Sequence, residues 1–180
     1  MLRIAALTDD AASPAAKETF AALRAKIGMV PNLYATTAHQ PAVLSALLGL
    51  GDALSKGAFD AKTREAIALG VAGVNDCDYC ASAHTAIASS LKVEGREIAA
   101  QLRGRSADPK TAAILAFAIA VTEKKGRVSD ADLSLARAGG LSDSDIVETI
   151  AGVVANIFTN YLNHVFDTDI DFPAVKAAAA

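Results

Sequence analysis

Cys77 and Cys80 stand three apart in the stretch NDCDYCASAH, and they are the only two cysteines in the chain. His84 follows Cys80 by four positions. A thiol must ionise before it acts as a nucleophile, and CxxC pairs that open a helix have pKa values lowered from about 8.5 to roughly 3.5–7.5. The cause is the set of unpaired N–H groups at a helix start, which favours a negative sulfur. A spacing of three also lets the sulfurs close a disulfide with little backbone movement. His84 falls on the same helical face as Cys80, where an imidazole can take a thiol proton.

Glu65 enters through geometry. If the helices flanking Asn75 form an antiparallel hairpin, Glu65 lies ten residues before the turn and His84 nine after it. At about 1.5 Å rise per residue these are about 15 and 13.5 Å from the same turn, so carboxylate and imidazole come level. A glutamate in a largely apolar helix needs a partner, and His84 supplies one. Cys80, His84 and Glu65 then read as nucleophile, base and orienting group.

A metal reading competes. Cys77, Cys80 and His84 are three ligands where zinc usually takes four, so Glu65, His39 or His164 would have to complete the set. No second close ligand pair exists, which makes dithiol redox chemistry the preferred reading, with no metal or cofactor expected. A non-catalytic zinc-binding or redox-sensing module, or an oxidoreductase acting on a protein disulfide, stays open. Buried cysteines serving as small apolar residues would explain one of the two, but not both with a histidine and a glutamate in register. His39 reads as a capping or surface residue. Asn156, Asn160, Asn163 and His164 cluster on one late helix, facing the site, a subunit contact or solvent.

The elements that must position these residues are all helical, since no stretch alternates with period two. Ser13-Pro14 opens a helix that Gly28 stops. VPNLYATTAHQP reads as a loop or short turn, and Pro41 to Ser55 as a second helix. Asp60 caps a third helix, AKTREAIALGVAGV, apolar around nearly its whole circumference after Glu65 and so expected to be buried. The fourth begins at or just before Cys77 and runs to about Leu91. Further helices are expected over Glu94 to Arg103, from Asp108-Pro109 to near Gly126, and from Ser129 to Gly139-Gly140. Ser142 and Asp145 form a capping-box-like pair before the longest helix, where Ile146, Ile150, Val153, Val154, Ile157, Tyr161 and Val165 recur at three-to-four spacing. The tail DTDIDFPAVKAAAA reads as an extended, exposed arm for subunit contacts.

Bulk properties narrow the function classes. A chain of 180 residues with 52% apolar and 21% charged residues is read as one globular domain, 1–180. Net charge is −3, and Lys124-Lys125 is the only basic doublet, so no nucleic-acid partner is expected. The apolar patch at the start is too short for a signal peptide, and the longest apolar runs reach about half the ~20 residues of a membrane span. We therefore expect a cytoplasmic protein with no membrane partner, a reducing setting in which CxxC leans to transient redox chemistry.

At Glu65, Cys77, Cys80 and His84 the pattern Glu-x11-Cys-x2-Cys-x3-His resembles the alkyl hydroperoxidase D-like (AhpD-like) proteins of the carboxymuconolactone decarboxylase superfamily, in particular the peroxidase-related branch. The similarity runs from VPNLYATTAHQP through ASAHTAIA and returns in NYLNHVFDTDIDFP, most of the chain. The resemblance implies an AhpD-like helical fold with a central helix hairpin carrying the CxxC motif, assembled as a homo-oligomer, trimer or hexamer. It implies a thiol-dependent peroxidase for hydrogen peroxide or organic hydroperoxides. Cys80 attacks the peroxide, Cys77 resolves the sulfenic acid to a disulfide, and a Glu65/His84 relay moves the proton, with a thiol or dithiol as reductant. The best-known members carry a histidine where this chain has Tyr79, which would donate a hydrogen bond to the peroxide or cover the pocket. The decarboxylase members lack the cysteine pair, which argues against lactone decarboxylation here.

Overall fold

The computed structural model of the chain describes residues 3–177. Within them lie nine helices and no strand: α1 Pro14–Ile27, α2 Asn32–Thr37, α3 Pro41–Leu54, α4 Ala61–Val74, α5 Asp78–Ser90, α6 Gly95–Leu102, α7 Pro109–Glu123, α8 Asp130–Ala138 and α9 Asp143–Phe166. None is long and apolar enough to cross a membrane.

Local chemistry accounts for most boundaries. Side-chain oxygens of Ser13, Asp60 and Asp108 accept the N–H groups of Ala16, Thr63 and Thr111, satisfying first-turn donors that have no partner within the helix. Ser129 with Asp132, and Ser142 with Asp145, make complete capping boxes at α8 and α9. Gly28, at φ 80°, ends α1 in the left-handed conformation that glycine adopts without strain.

The α8 box should be visible in the pH dependence of stability. The Lys124 ammonium, with the Ser129 N–H and hydroxyl, holds the Asp132 carboxyl down to about 2. A folded value below the unfolded one of about 3.9 means the stabilisation is present above about pH 4 and lost as pH falls through about 2. We expect the melting temperature to drop over that window, and less steeply in Asp132→Asn.

Helix α4 is the hub. It packs against α5, α6, α7 and α9, which is why seven consecutive residues, Ala66 to Ala72, are all buried. A helix surrounded on every side must be apolar on every side. Its crossing with α6 is so close that a Cβ on Gly73 would run into the Leu102 carbonyl oxygen. Gly73→Ala is expected to destabilise the protein by about 1–3 kcal/mol, read from denaturant unfolding.

Three features depart from the sequence expectations. The first is α2, read as a loop or short turn. Its Pro31 cap offers no side-chain acceptor; instead Asp171 accepts the Asn32 N–H at 2.6 Å and the Tyr79 hydroxyl accepts that of Leu33 at 3.2 Å. Six residues cannot hold a helix alone, so distant partners make it.

The second is the tail. It is non-helical, as expected, but no free arm over its described part, 167–177. Ser82 Oγ accepts the Val175 N–H at 2.9 Å, Asp78 Oδ1 accepts that of Ala177 at 2.9 Å, and Phe172 meets the Tyr79 ring edge-on. The tail is therefore a strap across α5, and residues 178–180 of the expected arm lie outside the described residues.

The third is α9. Of its apolar repeat, Ile146 and Val153 are buried, whereas Val154, Tyr161 and Val165 are more than half exposed. Thr149, Asn160 and Asn163 are buried in their stead.

Candidate functional site

The α4–α5 hairpin sets the geometry. Asn75 caps α4, Asp76 takes a left-handed conformation at φ 53°, and Cys77 N–H donates back to the Ala72 carbonyl at 3.0 Å. This turn leaves Cys77 as the N-cap of α5, where its sulfur does what an oxygen does at the other caps and accepts the Cys80 N–H at 3.3 Å. Cys80 is the third residue of the helix. The two are joined as a disulfide with Cα atoms 5.3 Å apart, and both are almost wholly buried.

The hairpin register brings Glu65 on α4 level with His84 on α5, and Oε2 lies 2.7 Å from Nδ1. A carboxylate can only accept, so it assigns the proton to Nδ1 and leaves Nε2 as the basic nitrogen of the ring. Both side chains are partly buried, and both line a cavity of about 670 Å³. Cys80 opens onto the same cavity, while Cys77 is not among its walls. The walls are mainly apolar, with Leu33, Leu47, Phe59, Ile67, Ile87 and Phe172 among them. Tyr34 also lines it, and its phenol is pushed above its ordinary value by burial and then by the Glu65 charge. A cavity of this size suits an organic molecule, with a few polar groups to orient it.

Tyr79 is largely structural. Its hydroxyl accepts the Leu33 N–H, and burial drives its pKa up, helped by the neighbouring Asp171 charge. The ring covers one wall of the cavity.

The late-helix amides face inward. Asn160 Oδ1 accepts from Asn75 Nδ2 at 2.8 Å across the α4–α9 contact. Asn163 Nδ2 donates to Cys80 Sγ at 3.3 Å, and Asn156 and Asn163 both line the cavity. The sequence signal for Asn163 was its amide in an apolar helix, but its contact with Cys80 depends on how α9 crosses α5. His39 and His164 do not join the group. His39 is exposed with Nε2 2.9 Å from the Ala5 carbonyl, and His164 is exposed on α9. Among the described residues no set of three or more His, Cys, Asp or Glu is placed to hold a metal ion.

Residues 41–123, from α3 through α7, match the sequence profile of the carboxymuconolactone decarboxylase family. The fold is shared with the AhpD core of a peroxidase-related protein from Ralstonia eutropha JMP134 (TM-score 0.84, 24% identity, 94% of this chain and 92% of that one). It is shared too with a peroxidase-related protein from Silicibacter sp. TM1040 (TM-score 0.80, 24% identity, 93% and 92% covered). The debrominase Bmp8, solved with 2,3,4-tribromopyrrole in a cysteine-to-alanine variant, is a further structural neighbour (TM-score 0.79, 21% identity, 95% and 92% covered). A search of curated proteins found no match.

Proposed function

We propose that this chain, whose residues 41–123 match the carboxymuconolactone decarboxylase family and which has the AhpD-like fold, is a dithiol peroxidase acting on organic hydroperoxides. The observation that carries the reading is the convergence of Cys80, His84 and Glu65 on one mainly apolar cavity, with Cys77 within bonding reach of Cys80.

In the reduced protein His84 Nε2 takes the Cys80 proton, and Glu65 holds the ring and stabilises the imidazolium that forms. The Cys80 thiolate attacks the distal oxygen of R–O–O–H, the O–O bond breaks, and RO⁻ leaves and takes the proton from His84. Cys80 is left as sulfenic acid. The Cys77 thiol then displaces water from it to form the disulfide seen here, and an external dithiol restores both thiols by exchange. The N-cap position activates Cys77 as well, but access decides the roles, because Cys80 is the sulfur on the cavity.

The test is hydroperoxide consumption with a dithiol donor, in which one donor disulfide should appear per peroxide consumed. Hydroperoxides with a hydrophobic group should be preferred to hydrogen peroxide, since they fill the apolar walls. If none is consumed above background, the reading is wrong; stoichiometric zinc in reductively purified protein would favour the metal-binding alternative.

The likeness in fold to the debrominase Bmp8, together with a cavity roomy enough for a small ring, supports a second reading, reductive removal of a halogen from an apolar ring by the same dithiol. Two thiols would become a disulfide while the ring exchanges bromine for hydrogen, releasing bromide and a proton. Bromide release from a brominated pyrrole, without hydroperoxide turnover, would select it.

The protein is further proposed to act as a cytoplasmic homo-oligomer. Val147, Val154, Tyr161 and Val165 leave one face of α9 apolar and exposed, and a second copy of the chain would cover it. Sedimentation should show a trimer or hexamer that Val154→Arg combined with Val165→Arg converts to smaller species.

A further inference from the structure

Asn163 is buried at 4% exposure, lines the reaction cavity and points Nδ2 at the Cys80 sulfur from 3.3 Å. The Oδ1 of the same amide is shut off from solvent and has no hydrogen-bond partner among the described residues. A buried acceptor without a donor is unfavourable, and such groups in folded proteins call for an explanation. The sulfur beside it is half of a disulfide, which carries no S–H or O–H to donate.

We infer that Asn163 is a further catalytic residue, holding the Cys80 thiolate through Nδ2 and receiving the O–H of the transferred hydroxyl at Oδ1. The inference rests on the dithiol-peroxidase reading for its second half only. In the attack, the oxygen that bonds to sulfur is the one that carries hydrogen in R–O–O–H. It arrives beside the amide and becomes the S–O–H of the sulfenic acid, keeping that hydrogen. Nδ2 thus serves the charge present before the O–O bond breaks, and Oδ1 serves the donor present during and after the transfer. Closing the disulfide expels that oxygen as water and leaves Oδ1 unpaired, as found.

The test uses full-length protein in which Cys77→Ser leaves Cys80 as the only thiol. Its pKa is read from the pH profile of iodoacetamide alkylation, and its oxidation by cumene hydroperoxide from dimedone trapping of the sulfenic acid. Asn163→Leu, close in shape, should raise the Cys80 pKa by about one unit, the worth of one hydrogen bond to a charged group. It should also slow sulfenic acid formation about 10-fold or more at a pH where the thiol is fully ionised. Asn163→Asp, which replaces the donor by a like charge, should raise the pKa further, and it serves as the second probe if the leucine variant does not fold. An unchanged alkylation profile in the folded variants overturns the assignment. A raised pKa with unchanged sulfenic acid formation from ionised thiol overturns the Oδ1 role. A raised pKa in protein that consumes no hydroperoxide would remove the peroxidase reading while leaving Asn163 as the thiolate's donor.

Discussion

Cys80→Ser is expected to lose hydroperoxide consumption to background, a fall of at least about 10³-fold, while the melting temperature stays close to that of the reduced parent. A serine hydroxyl is not ionised at neutral pH and forms no sulfenic acid analogue, so neither His84 nor the helix start can rescue it. The volume change is small, serine retains the backbone N–H that donates to Cys77, and its oxygen can accept from Asn163 as the sulfur does, so loss of activity is separable from loss of fold. Cys77→Ser has a different signature. The first oxidation survives because Cys80 and the cavity are intact, but the sulfenic acid has no resolving thiol. Rapid mixing should show a burst of one equivalent of peroxide followed by slow turnover. If the two variants exchange these behaviours, Cys77 is the nucleophile and the access argument fails.

On the proposed mechanism His84→Ala is expected to slow turnover by about 10²–10⁴-fold, the usual worth of a positioned general base. The loss should shrink as pH rises towards the Cys80 pKa, since hydroxide then does what the imidazole did; a pH-independent loss would contradict the role. Truncation also leaves the Glu65 carboxylate without its 2.7 Å partner inside a packed helix, so some stability should go with it, on the order of 1–3 kcal/mol. The double change Glu65→Leu with His84→Leu separates the two effects. Replacing both members of a buried polar pair by apolar residues is often neutral or stabilising. Urea unfolding of the double variant should therefore match or exceed wild type while activity remains lost.

The local parts of this fold are written in short stretches of chain. Asp60 and the apolar run after it specify α4, Asp108-Pro109 opens α7, and the two capping boxes start α8 and α9, all within four residues of sequence. Two such helices joined by a tight turn also determine a register, which is why the Glu65–His84 pairing could be worked out from rise per residue alone. The spacing of Cys77 and Cys80 belongs to the same class, because one helical turn sets it.

What the chain order does not encode is which surfaces meet. Helix α2 exists because Asp171 and Tyr79, far away in sequence, accept its first N–H groups. The tail becomes a strap because Ser82 and Asp78 offer it hydrogen bonds. Asn163 reaches Cys80 only through the crossing of α9 over α5, and the same crossing turns Val154, Tyr161 and Val165 outwards despite their helical repeat. A period in sequence says that residues share a face; it does not say whether that face meets the core, a cavity or another subunit. The sequence by itself determined the capped helices, the hairpin and the pairing of Glu65 with His84, since each depends on contacts within a turn or across one. Tertiary structure alone decided the cavity, the sulfur that opens onto it and the amide beside that sulfur, because those depend on the packing angles of helices distant in the chain.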